Sequence, residues 1–488
     1  SRSRCFTVHA GVYDVPMRVM FNYFTWTRCG DTTKGWAGPC HLDDGKLAPT
    51  GEHRDFSGGY HQSSDLRKWA ALEILGPLGL VEFARQQSPH WDNGSIAEEV
   101  RWGCDYFQKL VRDDGGMFDS VFIPLGWGPR DFYPSDPPAP ALWNNIRLQA
   151  MAAAYFQSRD PDYAAKCKET SERVWRYMTS EKRPKGKYEI PAYPPRGHRT
   201  FNEWFAGYYE NSALDWAQRL CAALALHRLS GDVSLLEDAV RSAAKLVALQ
   251  TAETGAEGDA GGCFWEGPES DGLAENRFLS TGASIQIGLC ELLSAAPTHP
   301  DSTRWRRAVE RMAEQHLHTA SRNPWGLMAT KWASEPKPVK RVQGARRDGL
   351  FDGGCLGSRT PGGPQLFAAY LHRHALYHQE IMGMALFMRR AAAITGREEY
   401  RVIAQRQLDW VMGCNPFDAS AIEGVGYNQP QRGLFGEFFP PTPQIPGAVS
   451  IGLAAYSFDP KHYGSANEYD LPAAGSVLWL TAEQAKQP

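Results

Sequence analysis

Amphipathic helical segments joined in pairs by very short turns, with long loops between the pairs, constrain the fold of this 488-residue chain more than any other feature. Apolar residues recur at i, i+3, i+4 and i+7 over 15–28, 66–86, 96–112, 141–156, 163–180, 211–229, 233–249, 279–295, 302–320, 366–394, 398–413 and 471–486. The joints share a chemistry. Ser158-Arg159-Asp160-Pro161, Ser230-Gly231-Asp232-Val233 and Thr395-Gly396-Arg397-Glu398 each put a glycine or an acidic residue where one helix stops and the next starts. Glycine suits a helix C-terminus, and a carboxylate suits the positive end of the helix dipole. Strand signals are sparse, with 5–9 and 188–190 the best candidates.

Repeated helical hairpins build either a solenoid or a closed ring. The long loops 30–65, 113–140, 184–209, 251–277, 323–364 and 415–468 are rich in Gly, Pro and aromatics, as functional loops are. Short joints on one face and long loops on the other predict an all-α (α/α)6 barrel with the loops forming the active-site face. No Ser/Gly or Pro-repeat linker divides the chain, so 15–488 reads as one barrel domain after a lead at 1–14.

Net charge is −3, which gives no footprint for nucleic acid, and no apolar run is long enough to span a membrane. The first residues lack an apolar signal core, so either a signal has been removed or the chain begins within a longer protein. Ten cysteines in this length do not make a disulfide scaffold, and Cys104, Cys167, Cys221 and Cys290 fall in helical patterns as core thiols.

Two carboxylates stand out. Asp65 closes the loop Gly58-Gly59-Tyr60-His61-Gln62-Ser63-Ser64-Asp65, and Glu468 lies in Ala466-Asn467-Glu468-Tyr469-Asp470 just before the last helix. Brought together they have the makings of a glycosidase pair. Taken separately, Asp65 reads equally as a helix N-cap and Glu468 as a solvated residue. Cys29, Cys40, His41 and His61 form a tetrahedral zinc set, or else a Cys29–Cys40 disulfide beside two hydrogen-bonded histidines. Sugar-stacking candidates in or near the loops are Trp127, Trp143, Trp265, Trp332, Tyr208 and Tyr209, each with core packing as its plain alternative. Lys337, Lys340, Arg341, Arg346 and Arg347 make a basic loop, either solvated or suited to an acidic glycan. His372, His374, His378 and Glu380 fall at helical spacing and are assigned to packing or the cleft wall.

These motifs resemble glycoside hydrolase family 9. Gly58 to Asp65 is similar to the family's Gly-Gly-Trp-His-Asp-Ala-Gly-Asp loop, and Asn467-Glu468 to its Asn-Glu motif. Gly413-Cys414-Asn415-Pro416 resembles its Gly-x-Asn-Pro turn, and Pro446-Gly447-Ala448 its Pro-Gly-Ala segment. The resemblance implies an inverting hydrolase of β-linked glycan or oligosaccharide, on the (α/α)6 barrel. Asp65 would be the general base and Glu468 the general acid, its pKa raised by burial or by a carboxylate such as Asp470. The zinc-bearing branch of the family implies a structural Zn2+ on Cys29, Cys40, His41 and His61, behind the catalytic loop. In that branch an immunoglobulin-like domain often precedes the barrel, and 4–14 would be its exit.

Two departures stand against the pattern. The family's first loop Asp is Gln62 here, and its His-His-Arg clamp is replaced by Gly426-Tyr427-Asn428-Gln429-Pro430-Gln431-Arg432. Gln62, Trp127, Tyr208, Tyr427 and Arg432 are the expected substrate contacts. A carbohydrate-binding pseudoenzyme and a lyase on acidic polysaccharide are the rival readings. A secreted or periplasmic location, and no nucleic-acid or membrane partner, complete the expectations.

Overall fold

The structure, a computed structural model, describes residues 11–47, 50–63, 66, 68–87, 94–120, 131–135, 140–186, 208–251, 262–269, 273–274, 284–333, 355–356, 367–369, 376–430, 444–453 and 468–486. Thirteen helices lie among them. They are α1 (Asp14–Trp26), α2 (Ala70–Glu73), α3 (Leu75–Gln86), α4 (Ser95–Lys109), α5 (Ala141–Phe156), α6 (Pro161–Thr179), α7 (Ala213–Ser230), α8 (Val233–Ala248), α9 (Ser284–Ala295), α10 (Ser302–Ala320), α11 (His378–Thr395), α12 (Glu398–Met412) and α13 (Leu471–Ala485).

Six of these close a ring. Helices α3, α5, α7, α9, α11 and α13 each pack on the next, and α13 returns to α3. The other long helices form an outer layer. α4 and α6 lie on α5, α8 on α7, α10 on α9 and α11, α12 on α11, and α1 on α13. The chain is therefore an (α/α)6 barrel. Composition matches layer: α5 is buried all round except at Ala154, whereas α6 buries one stripe through Tyr163, Cys167, Thr170, Val174 and Tyr177.

The joints behave as the sequence implies. Asp160 accepts from Tyr163 N at 3.1 Å and Asp232 from Ser234 N at 2.8 Å, capping α6 and α8. Gly231 and Gly396 end α7 and α11 at φ +73° and +75°. All six inner helices thus run the same way, with their N-termini at the long-loop face.

The seam between α3 and α13 closes the ring, and it needs glycine. A Cβ on Gly79 would lie 2.2 Å from the Gly475 carbonyl oxygen, and one on Gly475 would lie 2.8 Å from that of Gly76. At the far end of the barrel, each inner helix contributes one charge to a knot of ion pairs centred on the buried Glu291. Arg147 Nη2 bonds Glu82 (3.1 Å) and Glu291 (2.9 Å), Arg228 bonds Glu291 (3.2 Å), and Arg390 joins Glu291 (3.0 Å) to Glu483 (2.9 Å). Burial by itself would raise the Glu291 pKa, but the guanidiniums of Arg147, Arg228 and Arg390 hold it well below the ordinary carboxylate range.

Two expected helices start late. The segment 66–86 becomes helical only at Ala70, because Leu66 sits at φ +61°, outside the helical region. In the segment 366–394, helix begins at His378. Before it, Phe367–Ala369 pairs with Lys331–Ala333 and Cys355–Leu356, and Leu376–Tyr377 pairs with Gly452–Leu453. A short apolar run fits either period, and long-range partners decide for strand here. A further small sheet joins Lys46–Leu47, Asp131–Pro134 and Phe118–Asp119. The strands expected at 5–9 and 188–190 lie outside the described residues. No described helix is long and apolar enough to cross a membrane.

Replacing Glu291 with Gln is expected to cost about 3–5 kcal/mol near neutral pH, since three arginines lose a shared counter-charge. Because the folded pKa of Glu291 is depressed, its stabilisation is full above the unfolded value of about 4.5 and is lost as the pH falls below it. Urea unfolding of both proteins across a pH series should show the gap narrowing in acid; a constant gap would refute the assignment.

Candidate active site and adjoining metal-ligand cluster

A run of single antiparallel bridges connects distant parts of the sequence on the long-loop face. Cys29 N donates to Gly59 O and His61 N to Thr27 O, both at 2.9 Å, around the bridge Arg28–Tyr60. One step on, Leu471 N donates to Gln62 O at 2.8 Å, and Ser63 bridges Asp470. Asp470 N then donates to Val449 O and Ile451 N to Glu468 O, both at 2.9 Å. Glu423 N to Ala448 O, at 2.9 Å, extends the run to the segment after the Asn-Pro turn. Ser63 stands two residues before Asp65, and Asp470 two residues after Glu468. The segments that carry the two carboxylates are therefore hydrogen-bonded to each other. Glu468 is half-buried. Asp65 itself lies outside the described residues, as do Trp127 and Arg432.

Buried acids that no sequence pattern marks fix this loop from below. Lys68 Nζ lies 2.9 Å from Asp44 Oδ2, with both side chains fully buried, and also donates to Phe56 O at 2.9 Å. Its ammonium sits 4.5 Å from the centre of the Tyr106 ring. Glu73 accepts from Tyr60 N at 2.6 Å. Asp119 accepts from Ala70 N at 2.9 Å, supplying the start of α2 from another loop. The helix that follows this loop begins at Ala70 and takes a carboxylate from Asp119. Gly59, at φ +70°, could carry no side chain, since a Cβ would fall 2.6 Å from Glu73 Oε1 and from the Tyr106 ring. Asp470 spends its carboxylate on capping α13, accepting from Ala473 N at 3.1 Å.

The strand through Thr27–Cys29 is held by Arg28. Its guanidinium pairs bidentately with Glu99 (3.0 and 2.8 Å), reaches Asp31 and Glu98 at 3.0 Å, and stacks 4.7 Å over Trp102. Burial pushes the Asp31 carboxyl up, but bonds from Thr33, Arg28 and Lys34 outweigh it and hold the pKa at about 2.

Cys29, Cys40, His41 and His61 meet at the end of this strand, all buried, with one ligand atom from each inside a 4.8 Å span. The two sulfurs are 3.9 Å apart, far beyond the length of a disulfide bond, so Cys29 and Cys40 are not disulfide-bonded to each other. Cys29 Sγ lies 3.5 Å from His41 Nδ1, and Cys40 Sγ lies 3.4 Å from His61 Nε2. A tetrahedral ion with two thiolate and two imidazole ligands requires ligand spacings of roughly 3.3–3.8 Å. The donor set and its spacing thus fit a metal ion. Gly30, at φ +75°, turns the chain so that its N–H reaches Cys40 Sγ at 3.5 Å.

The remaining expected contacts separate. Gln62 is buried beside the bridge to Leu471, and its side-chain Oε1 makes no hydrogen bond among the described residues. Tyr208 is packed in the core and donates to Asp215 (3.4 Å), which also accepts from the core residue Trp143 (2.8 Å). Tyr427 is exposed and donates to Asp418 at 3.0 Å. The basic loop 337–347 and residues 372 and 374 lie outside the described residues.

Comparison with known proteins gives a consistent picture. Residues 13–433 match the sequence profile described as "Glycosyl hydrolase family 9". A cellodextrinase of Butyrivibrio fibrisolvens is 20% identical over 449 residues, covering 86% of this chain and 70% of that one. The crystal structure of a metagenome-derived family 9 endoglucanase is 17% identical with a TM-score of 0.65, covering 98% of this chain and 81% of that one. A zinc-binding triple mutant of another family 9 endoglucanase is 17% identical with a TM-score of 0.62, covering 100% and 87%.

Lys68→Met is expected to destabilise the protein by about 3–5 kcal/mol, because Asp44 loses its buried counter-charge. The double variant Asp44→Asn/Lys68→Met should recover much of that loss. Calorimetric Tm values of the two variants decide it, and equal losses would mean the pair is not coupled.

Proposed function

The chain belongs to glycosyl hydrolase family 9 and is a glycoside hydrolase, and on that premise we propose that it inverts β-linked glucans or their oligosaccharides with Asp65 and Glu468 as its catalytic pair. The observation that carries the reading is the bridge Ser63–Asp470, which couples the two carboxylate-bearing segments at the N-terminal ends of the inner helices. Asp65 takes a proton from water as that water attacks the anomeric carbon, and Glu468 gives a proton to the departing glycosidic oxygen. One bond to the anomeric carbon forms as the other breaks, and the configuration inverts. Trp127, Tyr427 and Arg432 are the proposed substrate contacts, and Gln62 offers the water an uncharged acceptor.

Cys29, Cys40, His41 and His61 would hold Zn2+, and the zinc-binding relative supports a zinc site on this fold. Four protein ligands leave no place for substrate, so the ion serves structure. It would fix His61, and through the next residue the carbonyl of Gln62 that accepts from Leu471. A second reading, a carbohydrate-binding protein with little turnover, rests on Gln62, since an amide adds no charge to activate water.

Cello-oligosaccharides and a β-glucan panel, with products resolved by chromatography, should give activity that falls at least ~100-fold in Asp65→Asn and in Glu468→Gln, with Tm unchanged. Proton NMR should show the α-anomer first. Binding without product in the wild type would favour the second reading. Elemental analysis should find one zinc per chain, and Cys40→Ser should lose it with a fall in Tm; a metal-free wild type of full stability would exclude the structural ion.

A further inference from the structure

His378 is fully buried as the first residue of α11 and has no part in the function proposed above. Its backbone N–H donates to Ile451 O at 2.7 Å, and its ring Nδ1 lies 2.7 Å from Ser450 O. A carbonyl only accepts, so the hydrogen sits on Nδ1 and the neutral ring leaves Nε2 bare. Burial, only partly offset by the Ser450 carbonyl, lowers the pKa of the ring to about 4, which keeps it neutral.

The two peptide groups gripped by His378 belong to the residues that hold the segment of the general acid. Ile451 N donates to Glu468 O at 2.9 Å, and Ser450 bridges Tyr469. His378 also continues the register in which Leu376 faces Leu453 and Tyr377 faces Gly452. A helix of the closed ring is thus tied by one residue, through backbone and ring, to the strand beside Glu468.

We propose that His378 is a positioning residue for the general acid, the ring Nδ1–H clamping the 450–451 strand so that Glu468 is presented at a fixed height to the leaving oxygen. The inference rests on the assignment of Glu468 as acid. A displacement of about 1 Å at a reacting group can cost on the order of 100-fold in rate, which sets the scale of the effect.

The test uses leaving groups, because a good one departs without a proton and a poor one does not. Steady-state kinetics on cellotetraose and on 2,4-dinitrophenyl β-cellobioside would be measured for the wild type, His378→Leu, His378→Asn and His378→Gln. The Leu variant should lose about 10- to 100-fold in kcat on cellotetraose, with KM changed less than about threefold, and little on the dinitrophenyl glycoside. The Asn variant places an amide N–H near the site of Nδ1 and should restore kcat; the Gln variant places it near Nε2 and should not.

Wild-type kcat in the Leu variant, an equal loss on both substrates, or rescue by Gln but not Asn would each overturn the proposal. If the Leu variant fails to fold, the Asn and Gln pair carries the decision. Glu468→Gln is the separate control. Should it retain activity on cellotetraose, the acid assignment fails; should it be inactive while His378→Leu is unimpaired, only the clamp fails. A wild type that cleaves neither substrate overturns both.

Discussion

The backbone pairing between Gln62–Ser63 and Asp470–Leu471 is the contact on which the cleft face depends. Those residues are some 400 positions apart in sequence, and the pairing is available only because α13 packs on α3 and closes the ring. The closure in turn requires Gly79 and Gly475, whose backbones approach too closely for any side chain. A ring of helices leaves its long loops with backbone groups to satisfy, and these loops satisfy them with one another. The bridges run from the Cys/His cluster, past the loop before Asp65, to the strand before α13 and on to the segment after the Asn-Pro turn.

Charge does different work at the two ends of the barrel. At the far end, six residues from six helices form one charge-balanced knot around the buried Glu291. At the loop face, charge is used in separate local contacts: Lys68 with Asp44, Arg28 with Glu99, Asp31 and Glu98, and Glu73 and Asp119 on backbone N–H groups. Each of these restrains a segment next to the catalytic candidates without entering the cleft chemistry. His378 belongs with them, although its contribution is a neutral ring.

Helix and joint positions were legible because periodicity and capping are local. Ala141–Phe156 and Ser302–Ala320 match their predicted bounds, and Asp160 and Asp232 stand at the helix N-termini where the joints place them. The Cys/His set was legible because its chemistry is rare, and sulfurs 3.9 Å apart remove the disulfide alternative. The strands at Phe367–Ala369 and Leu376–Tyr377 were read as helix, since their apolar residues fit both periods until partners are known. Tyr208 was read as a cleft ring, and the structure gives it a buried partner in Asp215.

By itself, then, the sequence determined the layers, the joints, the family resemblance and the metal-ligand set, all of which depend on residue type and on neighbours within a turn or two. The tertiary structure decided which of the other acids are structural. Along the chain nothing marks Asp44, Glu73, Glu99 and Asp119 as structural. Only the folding of residues 28–119 on one another brings Lys68, Tyr60, Arg28 and the N-terminus of α2 against these four, because the energy of a buried charge is set by what the fold places beside it.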